Sequence, residues 1–162
     1  MYIFGIDPGL KGGIAAYHKK EKTMCGCIMP IVKGEIDIGL FASMLVKGSV
    51  AYVEQVHSMP AQGVSSTFTF GKGYGKILGA LEAHGIAYVL VTPLKWKKAV
   101  FVDYDKDDYG GSFSNKQMAI DHVSHNWPSV DLTPGRKRIP SDGISDAVCI
   151  CEYGLIQEGL ME

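Results

Sequence analysis

The chain has 162 residues, 46% of them apolar and 20% charged, with a net charge of -1, which is enough for one sizeable hydrophobic core in a single domain and gives no sign of disorder. No run approaches the roughly 18 apolar residues of a membrane helix, and no basic, apolar and small-residue stretches stand in series at the start, so an intracellular protein of a bacterial or phage-infected cytoplasm is expected. A near-neutral total argues at first against nucleic acid, yet the acid excess is local: residues 139–162 hold five acidic and no basic side chains, while residues 91–138 hold eight basic and six acidic ones.

In chain order, an apolar strand is expected from Tyr2 to Asp7, a second after a glycine-rich turn from Gly13 to Tyr17, and a third from Thr23 to Ile28, together a meander. A helix near Ile36 to Val46 leads to a strand from Val50 to Glu54, apolar enough to be central in a sheet. A loop rich in Ser, Gly and Met covers Gln55 to Thr67. A helix follows from Phe70 to His84, ended by Gly85, and then a strand from Ala87 to Val91. After Pro93 the pattern becomes irregular and polar through KDDYGGSF. Ser114 opens a helix that Pro128 stops, and a last helix runs from Ser141, as N-cap, to about Gln157. Strands followed by alternating helices and strands read as an α/β layer fold around a mixed sheet.

The four cysteines occur as Cys25-Gly26-Cys27 and Cys149-Ile150-Cys151. Two-residue spacing is wrong for a zinc knuckle, so reduced, partly buried thiols are expected. Gly71, Gly75, Gly79 and Ala83 recur every four positions on one helix. Glycine in a helix interior costs up to ~1 kcal/mol, so such a stripe implies a second backbone close by, either the chain's own sheet or another subunit.

Two readings compete for the carboxylate that ends the first strand. The DPGLKGG turn could cradle a phosphate, but GKGYGK at 71–76 is neither G-x-G-x-x-G nor a Walker loop, and proteins with the first kind of turn need two such domains. Alternatively Asp7 ligates a metal. Glu54 ends the fourth strand, and Asp142 and Asp146 fall about 40° apart on a helical wheel, opposite Ile144, Val148, Cys151 and Leu155. If that face lies over the two strand ends, four acids converge, and without cations their repulsion would raise pKa values and destabilise the fold. Mg²⁺ prefers such oxygen ligands, and two ions ~3.5 to 4 Å apart suit phosphodiester hydrolysis.

With these residues in place, GIDPG at 5–9, VEQVHSMP at 53–60, the FGKGYG helix start, TPLKWKK at 92–98, the Ser114 to Pro128 helix and DGISDA at 142–147 together resemble a RuvC-type Holliday junction resolvase. The likeness is greatest to the phage-encoded branch, in which a proline and tryptophan-lysine motif follows the fifth strand. The resemblance implies an RNase H-like fold, a five-stranded mixed sheet with helices on both faces, and a homodimer on branched, four-way DNA. It implies a catalytic, metal-ligating set of Asp7, Glu54, Asp142 and Asp146 holding two Mg²⁺, with Mn²⁺ as a substitute. Hydrolysis would leave a 5′-phosphate and a 3′-hydroxyl with no covalent intermediate. Three residues separate the last acidic pair here, where well-known bacterial members have two; both spacings keep the pair on one helical face.

A near two-fold substrate cut on two strands suits two sites related by a dimer axis, and Gly71, Gly75, Gly79 and Ala83 are the candidate interface. In the loop region His57, Met59 or Phe68 would meet unstacked bases, although Phe68 and Phe70 could instead pack beneath the loop. Phosphate contacts are assigned to Lys95, Lys97, Lys98, Lys116, Arg136, Lys137 and Arg138, with Trp96 expected in the core. Two divalent ions would move the net charge from -1 to +3. Another RNase H-like flap or single-strand nuclease, and a branched-DNA binding protein that does not cut, are the alternative activities.

Overall fold

The structure is a computed structural model that describes residues 1–56, 63–105, 116–136 and 138–161. Three antiparallel strands, β1 (Tyr2–Asp7), β2 (Gly13–His18) and β3 (Thr23–Ile28), form the expected meander. A small hairpin of β4 (Ile31–Val32) and β5 (Glu35–Ile36) follows. Lys33 and Gly34 turn it with φ of 50° and 79°, the left-handed pair that a two-residue hairpin turn requires. Next come α1 (Ile38–Ser43), β6 (Val50–Glu54), α2 (Val64–Ala83), β7 (Ala87–Val91), α3 (Pro93–Val100), α4 (Lys116–Asn126) and α5 (Asp142–Gln157).

The five long strands make one mixed sheet in the order β3-β2-β1-β6-β7, with β6 parallel to β1 and β7 parallel to β6. Its two faces alternate along the strands. Phe4, Ile6, Ala51 and Val53 pack with Phe41 of α1 and with Ile77 and Leu81 of α2. Ile3 and Tyr52 point the other way, into a core built with α3, α4 and α5.

The helix α5 is set deep against this second face. A Cβ added to Gly5 would stand 2.2 Å from the Ala147 carbonyl oxygen, and one added to Gly143 would stand 2.1 Å from that of Lys11, so glycine at both positions lets strand and helix backbones meet. The turn after Asp7 is therefore shaped by the arrival of α5. Gly12 and Gly13 abut the Asp7 and Gly143 carbonyl oxygens.

Several boundaries differ from the sequence-based expectation. The helix expected from Ile36 begins at Ile38, because Ile36 is taken into the hairpin and the Asp37 side chain caps the Leu40 N–H at 3.0 Å. α2 starts at Val64, six residues before Phe70 and inside the expected loop, since Thr67 already donates to the Gly63 carbonyl at 2.9 Å. Pro93 opens a regular helix with Pro in its first turn, where a missing N–H costs nothing. Ser141 holds the N-cap position of α5 but makes no side-chain capping bond. Ser114 lies outside the described residues, and α4 is described from Lys116 to Asn126. All four cysteines are free, with Cys25 exposed and Cys149 and Cys151 buried. Among the described residues no helix is long and apolar enough to cross a membrane.

Candidate active site

Parallel pairing of β1 and β6 aligns Ile6 with Val53, so Asp7 and Glu54 come next, side by side at the C-terminal ends of adjacent strands. Ile6 and Val53 face the α1–α2 core. The two-residue period then turns Asp7 and Glu54 to the face that carries α5. There the first turns of α5 present Asp142 and Asp146. The same proximity shows in the electrostatics. Burial pushes the Asp7 carboxyl up from 3.8 to about 8, aided by the charges of Glu54, Asp146 and Asp142 and opposed by Lys97. Burial likewise raises Asp146 to about 6, with Lys97 pulling down and Glu54 and Asp142 pushing up.

The two remaining acids have partners. Glu54 is raised by burial, while the Trp96 indole Nε1–H, which donates to its Oε1 at 2.9 Å, and the charge of Lys97 act the other way. Trp96 is fully buried and stands edge-on to Phe101, so the ring sits in the core, as expected, and also fixes the Glu54 carboxylate. Lys97 Nζ lies 5.1 Å from the Trp96 ring centroid, an attractive placement for a cation. Asp142 pairs with the Lys116 ammonium. Burial raises its pKa, but that hydrogen bond and charge outweigh it, and the carboxyl ends below its ordinary value.

The site therefore unites β1, β6, α3, α4 and α5, with four carboxylates and two ammonium groups. Among the described residues no three His, Cys, Asp or Glu side chains form a ready metal-binding group; the carboxylates act on one another through their fields. The donor set still fits hard divalent cations: all ligand atoms are carboxylate oxygens. Asp7 is also a buried acid whose ionisation is opposed by three like charges, a debt that cations would cancel.

Of the basic residues singled out in the sequence, Lys97 and Lys116 reach the cluster. Lys95, Lys98, Arg136 and Arg138 are exposed, and Arg138 lines, with Lys11 and Asp142, an open groove of ≈ 840 Å³ whose walls include Leu10, Ile28 and Ile139. His57, Met59 and Lys137 lie outside the described residues. Phe68 is 71% exposed on α2; Phe70 stacks on Tyr74 with centroids 6.5 Å apart. Gly71, Gly75 and Gly79 have nothing within 4 Å of an added Cβ, and Ala83 is exposed, so the stripe is not used for packing on the chain's own sheet.

Sequence reasoning missed the bond from Trp96 to Glu54 and the pairing of Lys116 with Asp142. Neither has a local signal, because the partners lie 42 and 26 residues apart. It also missed a buried polar group at the far end of α5. There Glu152 receives the Trp127 indole N–H at 2.7 Å and faces His122 Nε2 at 2.9 Å.

No family model matches the chain, and no curated protein matches it. Solved structures do. A Thermus thermophilus RuvC in complex with a Holliday junction substrate superposes with a TM-score of 0.61 at 15% identity, covering 99% of this chain and 97% of that one. A further Thermus thermophilus RuvC structure gives a TM-score of 0.55 at 16% identity over 99% and 98% of the two chains. With a five-stranded mixed sheet, helices on both faces and end-to-end correspondence to these structures, the chain has the RuvC-type, RNase H-like fold.

Proposed function

We propose that the chain is a divalent-metal-dependent endodeoxyribonuclease that resolves branched DNA, four-way junctions above all. The observation that carries this reading is the convergence of Asp7, Glu54, Asp146 and Asp142 from two strand ends and one helix, with the Asp7 carboxyl pushed up to about 8 by burial and then by the charges of the other three. A structural or purely DNA-binding role gives no reason to bury a carboxylate among three others, at a cost to stability. The fold supports the substrate class, since a similarly folded Thermus protein is solved with a Holliday junction. The tryptophan-lysine pair at 96–97 supports a phage-encoded origin and hence action in an infected bacterial cytoplasm.

The chain's own residues divide the work. Asp7, Glu54, Asp142 and Asp146 hold the cations, Mg²⁺ or Mn²⁺, and Trp96 keeps Glu54 from turning away. Bound cations would activate water on one side of the phosphodiester and stabilise the leaving oxygen on the other. Lys97 and Lys116 lie within the field of the cluster. Once the carboxylates are engaged by metal they are free to take phosphate oxygens. Lys95, Lys98, Arg136 and Arg138 supply longer-range backbone contacts, and exposed Phe68 offers a stacking surface to an unpaired base. The open face of Gly71, Gly75, Gly79 and Ala83 is the proposed homodimer contact, which sets two sites for two strands.

The test is a panel of four-way, Y-shaped, flap and linear DNA offered to wild type and to Asp7→Asn with Mg²⁺. Paired, symmetric nicks confined to the four-way substrate are expected, and the variant should bind the junction without cutting it. Equal cutting of every substrate would point to a general RNase H-like nuclease. Binding with no cutting by wild type would leave a junction-binding protein.

A further inference from the structure

Glu152 is 4% exposed and His122 5% exposed, a buried pair that links α5 to α4 beyond Asp146 along the helix. His122 Nε2 lies 3.0 Å from Oε1 and 2.9 Å from Oε2 of Glu152, and the Trp127 indole N–H donates to Oε2 at 2.7 Å. Asn126 Nδ2 donates to His122 Nδ1 at 3.2 Å and to the His122 carbonyl at 3.1 Å, which leaves Nε2 as the nitrogen that donates to Glu152. Phe101 and Tyr104 pack their rings on the imidazole at centroid distances of 5.5 and 5.6 Å. Trp127 stands edge-on to Tyr17 of β2. The carboxylate is thus held from both sides, and the group touches strand, both helices and the segment after α3.

Such a group is a poor way to gain stability. A buried, hydrogen-bonded ionic or polar set can often be exchanged for apolar side chains of similar volume without loss. What it offers instead is direction: apolar contacts such as those of Met118, Ala119 and Val123 along α4 tolerate sliding, whereas hydrogen bonds to one carboxylate do not. The register of α4 matters because Lys116, on the first described turn of that helix, is the partner of Asp142 at the start of α5. A slip of one turn would carry Lys116 ~5.4 Å along the axis, too far for the pair to stay closed.

We propose that His122, Glu152 and Trp127 form a positioning clamp that fixes α4 on α5 and thereby holds Lys116 against the Asp142 carboxylate. None of the three touches the carboxylate cluster; they act through Lys116. The catalytic consequence rests on the nuclease reading above, whereas the structural one does not.

The two are separated by a zero-length cross-link. A water-soluble carbodiimide activates Asp142 and joins it to the Lys116 amine as an amide, the carbodiimide leaving as its urea, and peptide mass mapping reads the yield without any DNA. The comparison is between wild type, Glu152→Gln, and the triple variant His122→Met/Glu152→Leu/Trp127→Phe, which removes all three members at once and strands no buried donor, since exposed Asn126 keeps its bond to the residue 122 carbonyl. The cross-link should fall several-fold in both variants while the triple variant melts near wild type; should it unfold, the isosteric Glu152→Gln decides alone. On junction DNA, kcat should fall about tenfold, a loss of the size seen for outer partners of a site, with KM unchanged. Adding Lys116→Ala to the clamp variants should cost little more, because coupled residues are not additive. Wild-type cross-linking in the folded variants overturns the clamp whatever the cutting shows. Efficient cross-linking by a wild type that cuts no branched DNA overturns the nuclease reading and leaves the clamp standing.

Discussion

Replacing Asp7 by asparagine should stabilise the metal-free protein, by an amount that grows with pH. Burial and the fields of Glu54, Asp146 and Asp142 take the Asp7 carboxyl from 3.8 to about 8. Between those values the folded chain keeps a proton that the unfolded chain releases. The group's contribution is therefore fully present below the unfolded value and is lost as pH rises through the folded one. Each pH unit in that window is worth ~1.4 kcal/mol, so from pH 5 to pH 8 wild type gives up at most about 4 kcal/mol that asparagine, with no proton to lose, does not. Asp146, itself raised to about 6, shares the titration and reduces the single-site effect, to about 2 kcal/mol if it takes half. At ~2 to 4 °C per kcal/mol for a chain of this size, the variant should melt about 4 to 8 °C above wild type at the higher pH and close to it at the lower. Calorimetric melts in chelator at the two pH values test this. Mg²⁺ added at the higher pH should raise the wild-type midpoint and leave the variant's nearly unmoved. Equal midpoints at both pH values, or a gap that closes as pH rises, would refute the burial of Asp7 among like charges on which the site assignment stands.

Two further substitutions probe the support of the site and its surroundings. Trp96→Phe removes the N–H that holds Glu54 while keeping an aromatic ring beside Phe101; divalent-cation affinity, measured by titration calorimetry, should drop about 10- to 100-fold, and an unchanged affinity would show that Glu54 needs no holder. Gly75→Leu meets open space within the chain and removes a helix-interior glycine worth ~1 kcal/mol. The monomer should hold or gain stability while sedimentation shows a weakened dimer; an unaltered association constant would remove this face of α2 from the interface.

Much of the layout was legible because its signals are local. Apolar runs stopped by Asp7 and Glu54 mark the strand ends, and the spacing of Asp142 and Asp146 marks one helical face, so strands β1, β3, β6 and β7 and the last helix match their expected spans. The short-range errors arose where two local signals conflict. The Ser, Gly and Met content of 55–67 favours loop, yet the chain from Val64 onward winds into α2. Pro93 marks the start of an irregular pattern in the sequence and instead begins α3. The last helix was expected to be amphipathic, but from Gly143 to Leu155 every side chain other than Asp146 is buried, because α4 and α3 cover the side that the sheet leaves free. Glu152 therefore looks like a surface acid in sequence and is a buried one in the fold. Partners such as Trp96 with Glu54, and His122 with Glu152, depend on register between elements, which no local pattern encodes.

The order in which the chain is made gives the depth of α5 a further meaning. The helix that carries Asp142 and Asp146 packs on the first strand, and Cys151 Sγ donates to the Ile3 carbonyl across 148 residues of sequence. Contacts so distant in the chain form late, both on the ribosome and in refolding. A nascent chain that has not yet released α5 has Asp7 and Glu54 but lacks Asp142 and Asp146. Under the nuclease activity proposed above, a copy truncated before α5 would hold Asp7 and Glu54 without Asp142 and Asp146 and should leave DNA uncut.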